Sequence, residues 1–187
     1  FEEQKGSHLT LQLASKLHDP EQIITWWQNQ AGVEGAQGFP FYMTNDKIRH
    51  NTDLKSMGDL MLTEHPERSL TQDQLVIVDG EVKDVPGKNE IWIPTSFAYA
   101  WGITPGDVLD LPFNGGRQTM TVTAIIVDPQ FSIGMMNPIR AWMAPGTITQ
   151  AASESGDVGT IIGVRLTDYS LHDALWADFE NFLGTPF

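Results

Sequence analysis

Residues 90–128 read EIWIPTSFAYAWGITPGDVLDLPFNGGRQTMTVTAIIVD, and the fold turns on this stretch. Ile91-Trp92-Ile93 is a short strand ended by Pro94. Thr95 or Ser96 then caps a short helix that sets Phe97, Ala98 and Trp101 on one face. Gly102 suits the left-handed residue that closes such a helix. Pro105-Gly106 is a type II turn signal, because proline presets φ and glycine supplies a positive one. Val108, Leu109 and Leu111 make a strand, Asn114-Gly115-Gly116 a turn, and Thr119 to Val127 a second strand. The unit is strand, helix and hairpin, with no nucleophile–base pair and no metal cluster.

Outward from it, the two chain ends mix strand and helix. Leu9, Leu11 and Leu13 alternate with polar residues as a half-buried strand within His8–Leu17. Asp19 caps a helix with Pro20 at its first position, and Ile23 with Trp26 or Trp27 forms its buried stripe. Gly32 ends that helix, and Val33 to Thr44 is a strand. At the other end, Thr160 to Leu166 alternates with Ile162, Val164 and Leu166 inward. Ser170 caps a last helix whose apolar face runs through Leu171, Leu175, Phe179 and Phe182, stopped by Gly184. Between the ends lie short strands at Lys47–His50, Leu60–Leu62, Leu75–Val78 and Ile139–Met143, with loops over Glu64–Gln74 and Pro145–Gly159.

Strands segregated from helices indicate an α+β class. The expected architecture is a split β-α-β lobe formed by both chain ends, residues 1–62 plus 141–187, with residues 63–140 as an inserted β-rich lobe.

Composition narrows the chemistry. The 187 residues carry a net charge of −13, which opposes binding to nucleic acid or to anionic lipid headgroups. There is no cysteine, so disulfides, thiolate catalysis and cysteine-ligated zinc are excluded. No run approaches the roughly 18 apolar residues of a membrane helix. The chain opens at Phe1 without an initiator methionine, so an excised piece of something larger is expected.

Candidate sites are few. Glu64, His65 and Glu67 in LTEHPERS would need to converge to hold a metal, and their spacing does not require it. Ser96 and Ser132 lack a G-x-S-x-G elbow and read as cap or turn residues. Most of the six tryptophans read as core, with Trp27 and Trp176 expected to be the more exposed ones. Phe131, Met135 and Met136 lie in an apolar loop segment. It folds back over the β lobe or forms a contact surface, for which methionine and phenylalanine suit adaptable binding.

The motif at Gly102, Gly106 and Asp107, with the partner strand TMTVTAIIVDP carrying Val122, Asp128 and Pro129, resembles a known family. It is similar to the extracytoplasmic domain of FtsX-like ABC transporter permeases, the MacB-like periplasmic core domain. The end-derived and inserted lobes would correspond to that family's porter-like and sabre-like lobes. The Trp-rich helix and NPIRAWMAPG (137–146) resemble a Gram-positive subgroup.

The resemblance implies a non-enzymatic domain on the extracytoplasmic side of the cell membrane, with no cofactor. Its implied partners are a second permease subunit and a cytoplasmic ATPase, with a further extracytoplasmic protein, peptide or lipid. ATP-driven motion would be coupled to substrate export or to that partner, and Phe131, Met135 and Met136 are the expected partner-binding residues. A secreted hydrolase and a ligand-sensing extracellular module are the competing readings.

Overall fold

The computed structural model describes residues 3, 5–13, 17–55, 59–130, 139–155 and 158–184. β1 (Leu9–Leu13) leads through α1 (Pro20–Gln28) into β2 (Val33–Thr44). The short strands β3 (Ile48–His50), β4 (Asp53–Lys55), β5 (Leu60–Glu64) and β6 (Val76–Gly80) follow. Then come β7 (Glu90–Pro94), α2 (Thr95–Trp101), β8 (Val108–Phe113) and β9 (Gly116–Val127). The chain closes with β10 (Ile139–Met143), α3 (Thr147–Ser155), β11 (Gly159–Leu166) and α4 (His172–Leu183).

Among the described residues these strands form one eleven-stranded mixed sheet, ordered β1-β11-β2-β5-β10-β7-β9-β8-β3-β4, with β6 also paired to β9. β11 lies antiparallel between β1 and β2, which makes β1 and β2 parallel across it. With α1 as their crossover this is the split β-α-β expected of the chain ends, within an α+β fold. β3 pairs β8 at the far end of the sheet, and β5 joins β2 to β10.

Strand alternation divides the interior by face. On one face, Leu9, Leu11, Leu13, Ile162, Val164 and Leu166 pack against Ile23 and Trp27 of α1 and Leu175 and Phe179 of α4. The same face continues under α2 and α3, with Leu62, Ile91, Ile93, Leu109, Val122 and Met143 meeting Phe97 and Ile148. The opposite face holds Phe39, Phe41, Met61, Trp92, Ile126 and Trp142, covered by Leu70, Leu75 and Ile77. Both faces are therefore covered over much of the sheet, and this is why Ile161 is as buried as Ile162.

The turns follow their chemistry. Gly102 is left-handed (φ 63) at the end of α2, and Gly106 (φ 97) closes the turn in which the Asp107 N–H donates to Thr104 O. Asn114 (φ 51) and Gly115 (φ 72) are both left-handed between the paired residues Phe113 and Gly116, as a two-residue hairpin requires.

Three local expectations are corrected. Pro94 is the N-cap of α2 and gives no side-chain bond, so neither Thr95 nor Ser96 is the cap. The cap ahead of the last helix is Asp168, whose carboxylate accepts from Ser170 N–H (2.8 Å) at a 3-10 turn, and α4 begins only at His172. The expected loop Pro145–Gly159 contains α3. The Glu64 carboxylate accepts from Ile148 N–H (2.8 Å) and Thr149 N–H (2.7 Å), and Ile148 and Ala151 are buried against the sheet. A helix capped by a residue 84 positions away has no signature in its own sequence.

Candidate functional site

Phe131, Met135 and Met136 lie outside the described residues. The two feet of their segment are described, and they meet in a buried ion pair. β9 ends at Val127, Asp128 follows, and Arg140 is the second residue of β10. Arg140 Nε donates to Asp128 Oδ2 (2.6 Å) and Nη2 to Oδ1 (2.7 Å), a bidentate fork with both side chains at 0% exposure.

The remaining capacity is also used. Trp142 Nε1 donates to Asp128 Oδ2 (3.1 Å), Gln130 N–H to Oδ1 (3.0 Å), and Arg140 Nη1 to Gln130 Oε1 (2.9 Å). The guanidinium also lies over the Trp142 ring, 4.6 Å from its centroid. Gln130 Nε2 reaches Thr10 Oγ1 of β1, and Ile139 N–H donates to Asp59 O (3.0 Å). Gln130 and Ile139 are thereby each tied to neighbouring residues.

A second buried carboxylate lies near this pair. Asp73 accepts from Ser7 N–H (2.6 Å) and Ser7 Oγ (2.5 Å), and its own N–H donates to Lys5 O (3.0 Å). Gln72 Nε2 donates to Ser7 Oγ (3.0 Å) and Gly163 O (2.7 Å). Gly163 leaves room for this cluster, since a Cβ there would stand 2.3 Å from Ser7 Oγ and 2.7 Å from Asp73 Oδ2. Burial pushes the Asp73 carboxyl above its ordinary range, and the Ser7 hydrogen bonds and the charge of Arg140 offset this only in part.

A folded-state value above the unfolded one means that the native state holds the proton more tightly. The stability from this group is present at acid pH. It is lost as pH rises from the unfolded carboxylate value, about 3.9, through the raised folded value. Asp73→Asn is expected to remove that loss. The stability of the wild type relative to the variant should therefore fall with rising pH across this window in urea unfolding. A difference independent of pH would contradict it.

Glu64, His65 and Glu67 do not converge. Glu64 caps α3, and Glu67 is exposed. His65 is 2% exposed, edge-on to Trp92 and Trp142 at 5.5 and 5.6 Å. Its Nδ1–H donates to Pro66 O (2.8 Å), because a carbonyl can only accept, and burial lowers its pKa and favours the neutral ring. Among the described residues no three His, Asp or Glu side chains gather to hold a metal ion.

The motif residue Asp107 is occupied structurally. It accepts from Thr104 N–H (2.8 Å) and contacts His50 Nε2 (3.2 Å), and the backbone bond leads in lowering its pKa. Ser96 is exposed at the start of α2, and Ser132 lies outside the described residues.

The tryptophan order is also corrected. Trp27 is fully buried, and Trp26 is the half-buried member of the pair. Trp176 is half-buried as expected. Sequence reasoning missed Arg140, although an arginine between Ile139 and Ala141-Trp142-Met143 was a signal. A charge within so apolar a strand needs a buried partner. Asp73 and Ser7, 66 positions apart, carried no comparable signal.

Open clefts mark the surface of the described residues. One, of about 590 Å³, lies between the 113–118 hairpin and the start of α3. Another, of about 240 Å³, is bordered by His65, Lys83 and Trp92. The third, of about 390 Å³, lies between α1 and α4.

No protein-family model matches the sequence, and no curated protein is significantly similar to it. Solved structures are similar. The periplasmic region of MacB from Actinobacillus actinomycetemcomitans matches at 13% identity and TM-score 0.51, over 96% of this chain and 78% of that one. The extracellular domain of the noncanonic ABC-type transporter YknZ from Gram-positive bacteria matches at 14% identity and TM-score 0.52, over 95% and 96% of the two chains. This chain has the fold of those domains.

Proposed function

We propose that this chain is the extracytoplasmic domain of an ABC transporter permease, and that it works without catalysis of its own. The observation that carries the reading is the shared fold, which spans 96% and 95% of the chain against two such transporter domains. Among the described residues no helix is long and apolar enough to cross a membrane. In this reading a second permease subunit and a cytoplasmic ATPase complete the transporter. The domain faces outward from the cell membrane, on a Gram-positive surface, and couples ATP-driven motion to substrate export or to an extracytoplasmic partner.

Residues 1–62 with 141–187 act as one lobe and residues 63–140 as the other. β3, although within residues 1–62, pairs with β8 of the second lobe. Such a device transmits motion only if its contacts differ between transporter states. Phe131, Met135 and Met136 form or border the partner surface. The bidentate Asp128–Arg140 pair supports this role, because it gives their segment a rigid base.

The test is Phe131→Asp, Met135→Asp and Met136→Asp in the full-length transporter. The expected result is at least a tenfold fall in transport or partner capture, about 1.4 kcal/mol of lost interaction, with an unchanged melting transition. Loss of folding instead would make these residues core and end the surface assignment. A full-length gene lacking four membrane helices, or lacking this segment after the first, would end the permease reading.

A further inference from the structure

The outer seam between α1 and α4 holds more aromatic surface than the core uses. Trp27 and Phe179 are fully buried and 5.1 Å apart, and they close the inner seam. Outside them, Trp26 stacks on Phe182 at 5.3 Å and 21°. Phe182 remains 45% exposed. Glu21, Gln22 and Thr25 of α1 complete the open groove over this pair.

Glu21 is the charged side chain lining the groove, and neither α1 nor α4 carries a lysine or arginine. α1 and α4 carry Glu21, Asp173, Asp178 and Glu180, with Asp19 capping α1 and Asp168 capping the 3-10 turn before α4. Residues 17–46 and 166–187 contain no lysine or arginine, so all 11 cationic residues of the chain lie elsewhere. An exposed aromatic platform beside a carboxylate, in a field of negative charge, disfavours anionic lipid and nucleic acid. A purely apolar partner would leave Glu21 unanswered. An arginine answers every feature: its stem covers apolar surface, its planar guanidinium stacks on a ring, and its remaining donors pair a carboxylate.

We infer that the α1–α4 groove is a docking site for an arginine-bearing basic segment of a partner protein, with the guanidinium seated on Phe182 and Trp26 and paired to Glu21. This does not depend on the transporter reading, because the groove and its charge belong to this chain alone.

The probe is acetylated, amidated hexa-arginine, titrated into the 187-residue chain by calorimetry and tryptophan fluorescence. Hexa-lysine and hexa-glutamate serve as comparators. Arginine is expected to bind more tightly than lysine, and glutamate not at all. Phe182→Ala should weaken binding about fivefold, as expected for a lost cation–π contact. Glu21→Gln should weaken it about twofold. Glu67→Gln, at an exposed acid in the loop after β5, should leave it unchanged.

Thr25→Arg supplies a guanidinium from α1 itself and should abolish binding even if Phe182→Ala perturbs the helix. Raising salt to about 0.5 M should weaken but not erase the Phe182 dependence, since contact pairs are screened less than distant charges. Equal losses in Glu67→Gln and Phe182→Ala would mean non-specific attraction to an acidic chain and would overturn the site. So would undiminished binding in Thr25→Arg, or no binding of hexa-arginine.

Discussion

Replacing Arg140 by methionine is expected to cost about 3–5 kcal/mol, because it leaves the Asp128 carboxylate buried without its counter-charge. For a chain of this length that is a fall of roughly 6–20 °C in melting temperature. The structure makes the cost large because neither side chain touches solvent, and Asp128 also holds Trp142 Nε1 and the Gln130 N–H. The double variant Asp128→Leu with Arg140→Met should recover part of the loss, since removing both charges ends the desolvation penalty but leaves the buried Trp142 Nε1–H without its acceptor. Urea unfolding of the two singles and the double gives the coupling directly. A single variant costing under about 1 kcal/mol would contradict a fully buried pair.

Phe179→Ala should cost about 3–5 kcal/mol, comparable with the ion pair. Its ring lies 5.1 Å from Trp27, 5.3 Å from Trp26 and 5.6 Å from Trp176, so truncation opens a cavity where α1, α4 and the sheet meet. Three rigid aromatic neighbours cannot collapse into that space without leaving their rotamers. One turn further along α4, Phe182→Ala should cost under about 1 kcal/mol, because that ring is already half in water. Chemical denaturation of the two variants side by side measures the contrast. Similar losses would mean that the outer aromatic pair is part of the core, and the docking groove would lose its basis.

The contrast shows where sequence reasoning failed on these helices. Trp26 and Trp27 are adjacent, and 3.6 periodicity places either one inward beside Ile23. The choice fell to Trp27 because Phe179 fills the inner seam beside it, and Phe179 arrives from 152 residues away. The same limit hid α3. Its sequence, TITQAASES, has β-branched and hydroxyl residues that read as loop, and it is helical because Glu64 caps it and the sheet buries Ile148 and Ala151.

The elements whose signal is local were legible without coordinates. β1 and β11 followed from alternation, β2 and β10 were expected as strands, α1 followed from the Asp19-Pro20 start, and the turns at Gly102, Gly106 and Asn114-Gly115 from their required dihedrals. The split β-α-β of the two ends followed as well, because β1, α1, β2 and β11 each declare themselves in sequence. The buried chemistry was not legible. Asp128 stood out in a strand-ending motif and Arg140 in an apolar strand, but nothing in either segment says that the two meet. Asp73 seemed an ordinary loop acid until Ser7 and Gly163 were brought around it. By itself the sequence determined most of the strands, helices and turns, α3 excepted, because those depend on neighbours within a few residues. Only the tertiary structure decided which charges are buried together, which tryptophan faces inward, and that one aromatic groove stays open between two acidic helices. Those outcomes depend on desolvation and packing between segments that are far apart in the chain.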